Sequence, residues 1–257
     1  VWKTQNLKID KTNKKVTVDL IATDKYLTGT SNSTLTTSKI ALTVDGDTKA
    51  NTAITKTLST ATFSTNSSTG LKEIKYTLTL SNWEQSTKQS GKSFLEYSGT
   101  TKITIPAGTI TDQYTNKSLE QTFDLGHVDF IKPKIETVST TRDTSAKTET
   151  IIFNVIDKYL DTSDAVASSE ITVYVDGENA STLSKTLTRV TANDVKATVN
   201  GTSRTVSQQY KLVLSNFEQS ARNTKNYKDW SGTVTIDIVA GAVKDQPSGG
   251  SVNTSEK

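Results

Sequence analysis

Cysteine and methionine are absent from this chain of 257 residues, and only three prolines occur. Without cysteine the protein has no disulfide, no thiolate metal site and no thiol nucleophile. The sequence also contains no run of about 18 apolar residues that could span a membrane, and no basic-plus-apolar signal segment at its start. We therefore expect no membrane contact from this stretch, and we expect any signal or anchor to lie outside it.

Groups that carry catalysis or bind cofactors are scarce as well. His127 is the single histidine, which excludes a His-rich metal site and a Ser-His-Asp triad in each half. No glycine loop matches a phosphate-binding motif. The net charge of +3 comes from 30 basic and 27 acidic residues. Because these charges are interspersed along the sequence, they do not indicate a nucleic-acid interface. The sequence predicts no catalytic, cofactor-binding or metal-binding residues, no cofactor and no nucleic-acid partner, and His127 is interpreted as a partly exposed strand residue.

A block of seven residues occurs twice. Residues 80–86 return as residues 214–220, with six identical positions and one aromatic residue exchanged for another. Five further blocks return in the same order, 131 to 133 residues later, so the chain is a tandem duplication. We predict two domains of ordinary size, residues 1–130 and residues 131–257. The five blocks are residues 24–27 with 157–160, 44–46 with 175–177, 97–99 with 230–232, 107–108 with 240–241, and 112–113 with 245–246.

Alternating apolar and polar residues predict about seven strands in each copy and no long helix. The clearest strand covers residues 74–80, where every second residue is apolar. The repeated block closes this strand, and we expect Ser81 or Asn82 to cap one short helical turn, with Glu84 or Gln85 returning the bond. The second strand and its copy are predicted to turn one apolar face to the core, formed by Val18, Leu20 and Ala22 and by Ile151, Phe153 and Val155.

Short alternating strands separated by turn signals are typical of an antiparallel β-sandwich of immunoglobulin type. A barrel is the alternative, and an odd number of strands at uneven intervals favours the sandwich. We therefore predict an all-β chain of two tandem immunoglobulin-like sandwiches. The junction at Pro133 has no Gly/Ser tether, so we expect restricted bending. The first copy should end with a strand at residues 119–130, whereas Lys257 aligns opposite Asp124, so we expect a short or incomplete last strand in the second copy and a native chain that continues.

Two stretches, from Ile103 to Asp112 and from Ile236 to Asp245, resemble the strand-and-turn motif of bacterial immunoglobulin-like repeats, the Big-type domains of surface proteins and adhesins. In that family an Asn or Gly commonly follows the Asp by a few residues, and Asn116 and Gly249 fit this pattern loosely. The resemblance implies an extracellular segment at the cell surface, placed as a stalk among neighbouring repeats of the same chain. It supplies no ligand site.

Acidic residues recur at two places that could carry chemistry. Glu84 and Glu218 are equivalent in the two copies, and a pair of carboxylates is what glycoside hydrolysis requires. Their place at a strand end favours a capping role over catalysis. Residues 45–47 and 176–178 resemble the start of a calcium loop but lack the later ligands of the twelve-residue spacing. We interpret each of these blocks as a hairpin turn.

Two further hypotheses rest on position or composition alone. Calcium at the domain junction would use Asp129 with Asp24 or Asp157. An intramolecular Lys–Asn or Thr–Gln crosslink, as in some bacterial surface sandwiches, would need a buried carboxylate beside the pair, and the sequence does not locate one.

We expect the chain to be a non-catalytic, monomeric stalk, spacer or adhesive segment of a larger surface protein. The alternative is a specific binding module that recognises a host glycan or protein through end loops, namely residues 28–38, 64–70 or 85–96. A third hypothesis, a carbohydrate-active domain, has no recognisable paired-acid motif to support it.

Overall fold

The computed structural model describes residues 1–84, 97–218, 230–245 and 255. These residues belong to two compact units, one ending at Phe130 and the other beginning at Ile131. Each unit is built from antiparallel sheets, so the prediction of an all-β chain of tandem sandwiches is confirmed. No helix in the described part of the chain is long and apolar enough to cross a membrane.

The first unit has eight strands and one short helix in its described residues. They are β1 (Trp2–Asp10), β2 (Lys15–Asp24), β3 (Ala41–Val44), α1 (Ala50–Ala53), β4 (Thr55–Leu58), β5 (Thr62–Thr65), β6 (Lys72–Ser81), β7 (Gly99–Ile105) and β8 (Gln121–Val128). Two 3-10 turns, Thr30–Asn32 and Thr37–Lys39, precede β3. The larger sheet has the order β1-β2-β6-β4, with β5 also paired to β6, and the smaller sheet has the order β3-β7-β8.

The second unit repeats this plan. Its strands are β9 (Lys134–Asp143), β10 (Thr148–Ile156), β11 (Ile171–Val175), β12 (Glu178–Asn179), β13 (Ser184–Arg189), β14 (Val195–Val199), β15 (Thr202–Ser215) and β16 (Val234–Ile238), with 3-10 turns at Ser168–Glu170 and Thr191–Asn193. The larger sheet has the order β9-β10-β15-β13, with β14 also paired to β15, and the smaller sheet has the order β12-β11-β16.

The strand order in the first unit is that of an immunoglobulin constant-type sandwich, in which strands A-B-E-D face strands C-F-G. β4 and β5 together take the place of strand D, because β5 pairs with residues 72–75 of β6 and β4 pairs with residues 78–81. The unit therefore has the predicted seven strand positions. The predicted loop at residues 64–70 is wrong at its start, since Ser64 and Thr65 belong to β5.

Burial alternates along β6 because successive residues of a strand point to opposite faces of the sheet. Ile74, Leu78 and Leu80 are fully buried, whereas the threonines between them are partly exposed. Burying each large apolar side chain contributes about 1.5–3 kcal/mol. The predicted core face of the second strand is confirmed in both units, since Val18, Leu20, Ala22, Ile151, Phe153 and Val155 are all buried.

One serine in each unit occupies an equivalent position, namely Ser118 just before β8 and Ser255 in the second unit. The carbonyl of Ser118 accepts a hydrogen bond from the amide of a glycine, and its own amide donates to a carbonyl two residues beyond that glycine. Ser255 makes the same two bonds in the second unit. The N···O distances are 2.7 Å from Gly108 to Ser118, 2.9 Å from Ser118 to Ile110, 2.9 Å from Gly241 to Ser255 and 2.9 Å from Ser255 to Val243.

This correspondence corrects the alignment of the chain's last residues. Because Ser255 matches Ser118, residue 257 matches residue 120, and the expectation that Lys257 stands opposite Asp124 is wrong. The segment from Gly241 to Ser255 is four residues longer than the segment from Gly108 to Ser118. A single serine does not provide enough sequence identity to locate this insertion. The described part of the second unit contains no counterpart of β8.

Candidate functional site

The repeated Val–Asp–Gly block forms a two-residue hairpin turn in both units. Asp45 and Gly46 have φ angles of 50° and 77°, and the residues on either side pair with each other. Asp176 and Gly177 have φ angles of 50° and 81°, between β11 and β12. Positive φ at both central residues is the requirement of a type I′ turn, which Asp–Gly favours. The interpretation of these two blocks as hairpin turns is confirmed.

The carboxylate of Asp45 binds the backbone of a second repeated block. Its Oδ1 accepts a hydrogen bond from the Thr100 amide at 2.9 Å, and the Asp45 amide donates to the Thr100 carbonyl at 2.9 Å. Gly99 has a φ of 141°, and a Cβ at this position would overlap the Asp45 carboxylate. A glycine is therefore required at residue 99 for both its backbone conformation and its lack of a side chain.

The second unit contains the same arrangement, which we call the Asp–Gly clasp in both units. Asp176 Oδ1 accepts a hydrogen bond from the Thr233 amide at 2.8 Å, and the Asp176 amide donates to the Thr233 carbonyl at 2.9 Å. Gly232 has a φ of 148°, and a Cβ there would overlap the Asp176 carboxylate. Two repeated blocks of each copy are thus the two halves of one contact.

The glutamates of the repeated seven-residue block form ion pairs. Lys14 Nζ lies 3.1 Å from Glu84 Oε2, and Lys147 Nζ lies 2.7 Å from Glu218 Oε1. All four side chains are about half exposed or more, so each pair contributes at most about 1 kcal/mol. The predicted capping role is wrong, because the hairpin between the first two strands of each unit brings a lysine to the carboxylate.

The strand ends in a left-handed residue where a helical cap was predicted. Asn82 and Asn216 have φ angles of 65° and 66°. The Asn82 side-chain amide donates to the Ala53 carbonyl at 3.1 Å, and the Asn216 side-chain amide donates to the Thr182 carbonyl at 3.3 Å. Asparagine suits this position because its short polar side chain tolerates the left-handed region. Gln85, the other predicted partner of the cap, lies outside the described residues.

The aromatic residue of the block closes one end of the sandwich core. Trp83 is fully buried, and its ring lies 5.6 Å from the ring of Phe130 in an edge-to-face contact. Phe217 is partly buried and packs against the core of the second unit. The Trp83 carbonyl accepts a hydrogen bond from the Tyr97 amide at 2.9 Å, and the Phe217 carbonyl accepts one from the Trp230 amide at 2.8 Å. The block is a structural corner in both units.

The residues of the junction calcium hypothesis make local contacts. Asp24 and Asp157 each accept a hydrogen bond from the amide of the tyrosine two residues later, at 2.7 and 2.6 Å. Asp129 Oδ1 accepts one from the Ser98 hydroxyl at 2.9 Å. Among the described residues, no group of three or more His, Asp or Glu side chains could hold a metal ion. His127 lies in β8 and is partly exposed, as predicted.

A lysine that the sequence analysis missed connects the two sheets in each unit. Lys56 on β4 donates from Nζ to the Ile40 carbonyl at 2.7 Å and to Asn51 Oδ1 at 2.6 Å. Lys185 on β13 donates in the same way to the Ile171 carbonyl. The carbonyls lie just before β3 and at the first residue of β11, so each lysine reaches from the larger sheet to the smaller one. Burial lowers the pKa of Lys56.

The sequence did carry a signal for these lysines. Residues 56–58 and 185–187 are identical, but they are 129 residues apart, outside the range of offsets shared by the other blocks. The contact of Lys56 with Asn51 also bears on the crosslink hypothesis. Both hydrogen-bond partners of Lys56 are uncharged, whereas the crosslinking reaction needs a carboxylate beside the pair.

Two of the three predicted binding loops are organised by an asparagine side chain. In the loop at residues 28–38, Asn32 Oδ1 accepts hydrogen bonds from the amides of Thr28 at 2.6 Å and Gly29 at 3.1 Å. In the loop at residues 64–70, Asn66 Oδ1 accepts two such bonds from the amides two and three residues later. The bonds of Asn66 form an Asx turn, whereas Asn32 accepts from amides that precede it, and both side chains fix the loop backbone locally. The third loop, residues 85–96, lies outside the described residues.

An exposed aromatic pair distinguishes the first unit from the second. The rings of Tyr26 and Tyr114 lie 4.9 Å apart in an edge-to-face arrangement, and Tyr114 is 61% exposed. Lys25 Nζ lies 5.3 Å from the centre of the Tyr26 ring. In the second unit the equivalent of Tyr26 is Tyr159, which is buried. Among the described residues of the first unit, this pair offers exposed aromatic rings that suit a ligand with a flat apolar face.

No protein-family model, no curated protein and no solved structure matches this chain. The case for its function therefore rests on the contacts that the two units share and on the few in which they differ.

Proposed function

We propose that this chain is a non-catalytic spacer, or stalk, in a larger bacterial cell-surface protein. Its partners are neighbouring immunoglobulin-like repeats of the same chain. The observation that carries the proposal is the Asp–Gly clasp, which uses two recurring sequence blocks in each unit to fix the backbone. A duplication that keeps contacts of this kind keeps the fold, and the fold is what a spacer requires.

The assignment to bacterial surface repeats is supported by the turn after β7. Asp112 Oδ1 accepts hydrogen bonds from the amides of Tyr114 and Asn116, both at 2.8 Å, and Asp112 Oδ2 accepts one from the Asn116 side chain at 2.8 Å. These bonds, above all the one from the Asn116 side chain, hold the pKa of Asp112 below its usual value. The asparagine that the repeat family commonly places after this Asp therefore has a physical role in this chain.

The separate core of the second unit supports a spacer as well. Its buried residues come from both sheets, with Phe153 on β10 and Val173 on β11 in one cluster. A unit with its own core can stay folded when its neighbour opens, because local unfolding follows such contiguous units. A chain of such units therefore keeps most of its units folded under a pulling force.

A glycan and protein array separates the spacer from a binding module. The full chain, labelled at its N-terminus, is applied to arrays of host glycans and host extracellular proteins. A spacer gives no saturable binding above that of an unrelated two-domain sandwich of similar charge. Saturable binding that an excess of unlabelled chain displaces would overturn the proposal.

The exposed aromatic pair favours one second candidate, a module that binds a glycan through the first unit. Stacking of a sugar on Tyr114 would bury its exposed ring. If the array shows binding, Tyr114→Ala should abolish it, whereas Phe63→Ala should not. Phe63 is the matched control, because it is also an exposed aromatic residue of the first unit.

The surface location has its own test. Antibodies raised against the chain should label intact cells that produce the full protein, and protease added outside the cells should remove the signal. Labelling that appears only after the cells are made permeable would contradict a surface location.

A further inference from the structure

Three two-residue turns in the described part of the chain place an aspartate or an asparagine directly before a glycine. Two are the Asp–Gly turns of the clasps, and the third is Asn200–Gly201 between β14 and β15. Asn200 and Gly201 have φ angles of 48° and 75°. Val199 pairs with Thr202 across them. The third turn has positive φ at both central residues, so it is also a type I′ turn.

The side chain before the glycine is bound in two of these turns and unbound in the third. The carboxylates of Asp45 and Asp176 each accept a hydrogen bond from a backbone amide of a distant segment, at 2.9 and 2.8 Å. Asn200 and Gly201 are exposed, and among the described residues the Asn200 side chain has no hydrogen-bond partner. The side-chain amide of Asn200 is therefore free to rotate towards the backbone of the glycine that follows it.

An asparagine before a glycine can react with the chain's own backbone, because glycine has no side chain to hinder the approach. Hydroxide removes the amide proton of Gly201, and the nitrogen attacks Cγ of Asn200. The new N–Cγ bond closes a five-membered succinimide ring. The bond from Cγ to the side-chain nitrogen breaks, and ammonia leaves with a proton from water.

Water then opens the ring at one of its two carbonyl carbons. Hydrolysis of the new N–Cγ bond gives aspartate. Hydrolysis of the original peptide bond gives isoaspartate, in which the main chain runs through Cβ and Cγ. Both products carry a carboxylate, so the net reaction exchanges one ammonia for one water and adds one negative charge.

Ring closure requires the backbone at Asn200 to leave its left-handed conformation, so the turn must open locally. This opening costs little, because Val199 is the only buried residue of β14. Opening of a clasp turn costs more, because it breaks further hydrogen bonds. In the first unit these join Asp45 to the amide and the carbonyl of Thr100. The clasps therefore hold back the same chemistry at Asp45 and at its counterpart in the second unit.

We propose that Asn200 is a site of spontaneous deamidation. We also propose that the Asp–Gly clasps protect Asp45 and Asp176 from the related isomerisation, in which water leaves in place of ammonia. The reactants are water, hydroxide and this Asn–Gly pair, which occurs once in the chain. The proposal does not depend on the spacer function. It gives the clasp a second role, which is to keep two tight turns chemically intact.

The two products differ in their effect on the hairpin of β14 and β15. Aspartate suits a type I′ turn, as Asp45 and Asp176 show. Isoaspartate lengthens the main chain of the turn by one carbon, which disturbs the pairing of Val199 with Thr202. Val199 belongs to a small buried cluster with Val206. The isoaspartate form should therefore expose apolar surface at this hairpin.

Mass spectrometry of trypsin fragments tests the proposal on the full chain, incubated either folded or in urea in warm, mildly alkaline buffer. Cleavage after Lys196 and Arg204 releases residues 197–204, in which Asn200 is the only asparagine or glutamine. A mass gain in this fragment therefore reports Asn200 alone. We expect the reaction in the folded chain to be no more than about tenfold slower than in urea, because the end of the hairpin opens readily.

Asn200→Asp supplies the matched control, because the variant has three Asp–Gly turns of which only two are clasped. In the folded variant, isoaspartate should form at residue 200 at least tenfold faster than at residues 45 and 176. In urea the three residues should react at similar rates. Equal rates in the folded variant would overturn the protective role of the clasps. Slowing of the Asn200 reaction by much more than tenfold on folding of the natural chain would overturn the deamidation site.

Discussion

The carboxylate of Asp45 lies in the space that a side chain on Gly99 would fill. Asp176 stands in the same relation to Gly232. In each unit the aspartate belongs to a tight turn of the smaller sheet. Gly99 is the first residue of β7, and Gly232 lies two residues before β16. Two short blocks that recur far apart in the sequence therefore recur for one reason, which is that they touch.

Replacement of the clasp glycine should destabilise the first unit. Gly99→Ala adds a methyl group that overlaps the Asp45 carboxylate, at a φ of 141° that L-residues rarely adopt. We expect the free energy of unfolding to fall by about 1–3 kcal/mol. Gly29→Ala is the control, since Gly29 has an extended φ of 165° and no atom near its Cβ position. Urea unfolding of both variants measures the difference, and equal stabilities would contradict the role of the clasp.

A double-mutant cycle isolates the contact itself. Asp45→Ala removes the carboxylate, so Gly99→Ala should cost less in the Asp45→Ala background than in the natural chain. The cost that remains reports the backbone strain at residue 99. Additive effects of the two substitutions would show that the methyl group and the carboxylate do not meet.

The two classes of lysine contact should respond differently to the same substitution. Lys56→Met leaves the Ile40 carbonyl without its side-chain donor, so we expect a loss of about 1–3 kcal/mol of stability. Lys14→Met removes an exposed ion pair with Glu84 and should cost less than about 1 kcal/mol. Chemical denaturation ranks the two variants. A larger loss for Lys14→Met would reverse our account of which lysine supports the sandwich.

The stability of the first unit should depend on pH through Asp19. Burial raises the pKa of this carboxyl, but hydrogen bonds from Lys75, Asn6 and Thr77 outweigh burial and hold the pKa below its usual value. The ionised form therefore stabilises the folded state above the unfolded-state pKa of about 3.9, and this stabilisation is lost as the pH falls through the lower folded-state pKa.

Asp19→Asn tests this dependence. The variant should lose stability relative to the natural chain at pH 6, and the difference should shrink as the pH is lowered below about 4. The second unit has Ile152 at the equivalent position, so its unfolding supplies an internal reference. A difference that stays constant from pH 6 to acid pH would show that the charge of Asp19 is not the cause.

Calcium should leave the thermal stability unchanged. The recurring Asp45 and Asp176 carboxylates already accept backbone hydrogen bonds at 2.9 and 2.8 Å, and both lie in two-residue turns. An ion that binds the folded state raises Tm with its concentration. Melting curves with added calcium and with a chelator should coincide, and a higher Tm with calcium would revive the calcium hypotheses.

The strands and core could be predicted because their signal is local. Burial of every second residue in β6 follows from the strand period, and this period is visible at residues 74–80. The same reasoning identified Val18 and Phe153 as core residues. The recurring blocks also revealed the division into two copies, because sequence identity at several places can be recognised without knowing which residues are in contact.

Contacts between distant residues could not be read in this way. Nothing local in the sequence indicates that Asp45 meets Gly99, or that Lys14 reaches Glu84, because the topology of the sheets brings these residues together. The helical cap at Asn82 was a plausible local alternative, and the structure replaces it with a left-handed turn. The correspondence of Ser118 with Ser255 could not be predicted from the sequence, because it is defined by two backbone hydrogen bonds and not by side-chain identity.

Stretching of single molecules tests the central claim, that one self-sufficient sandwich is present twice and acts as a spacer. The chain is tethered at its two ends and pulled at constant speed. We predict two separate unfolding events, each releasing about 40 nm of chain, as expected for units of this size. Gly99→Ala and Gly232→Ala should each weaken one event and leave the other unchanged. A single event that releases the whole chain, or extension without discrete events, would contradict the account.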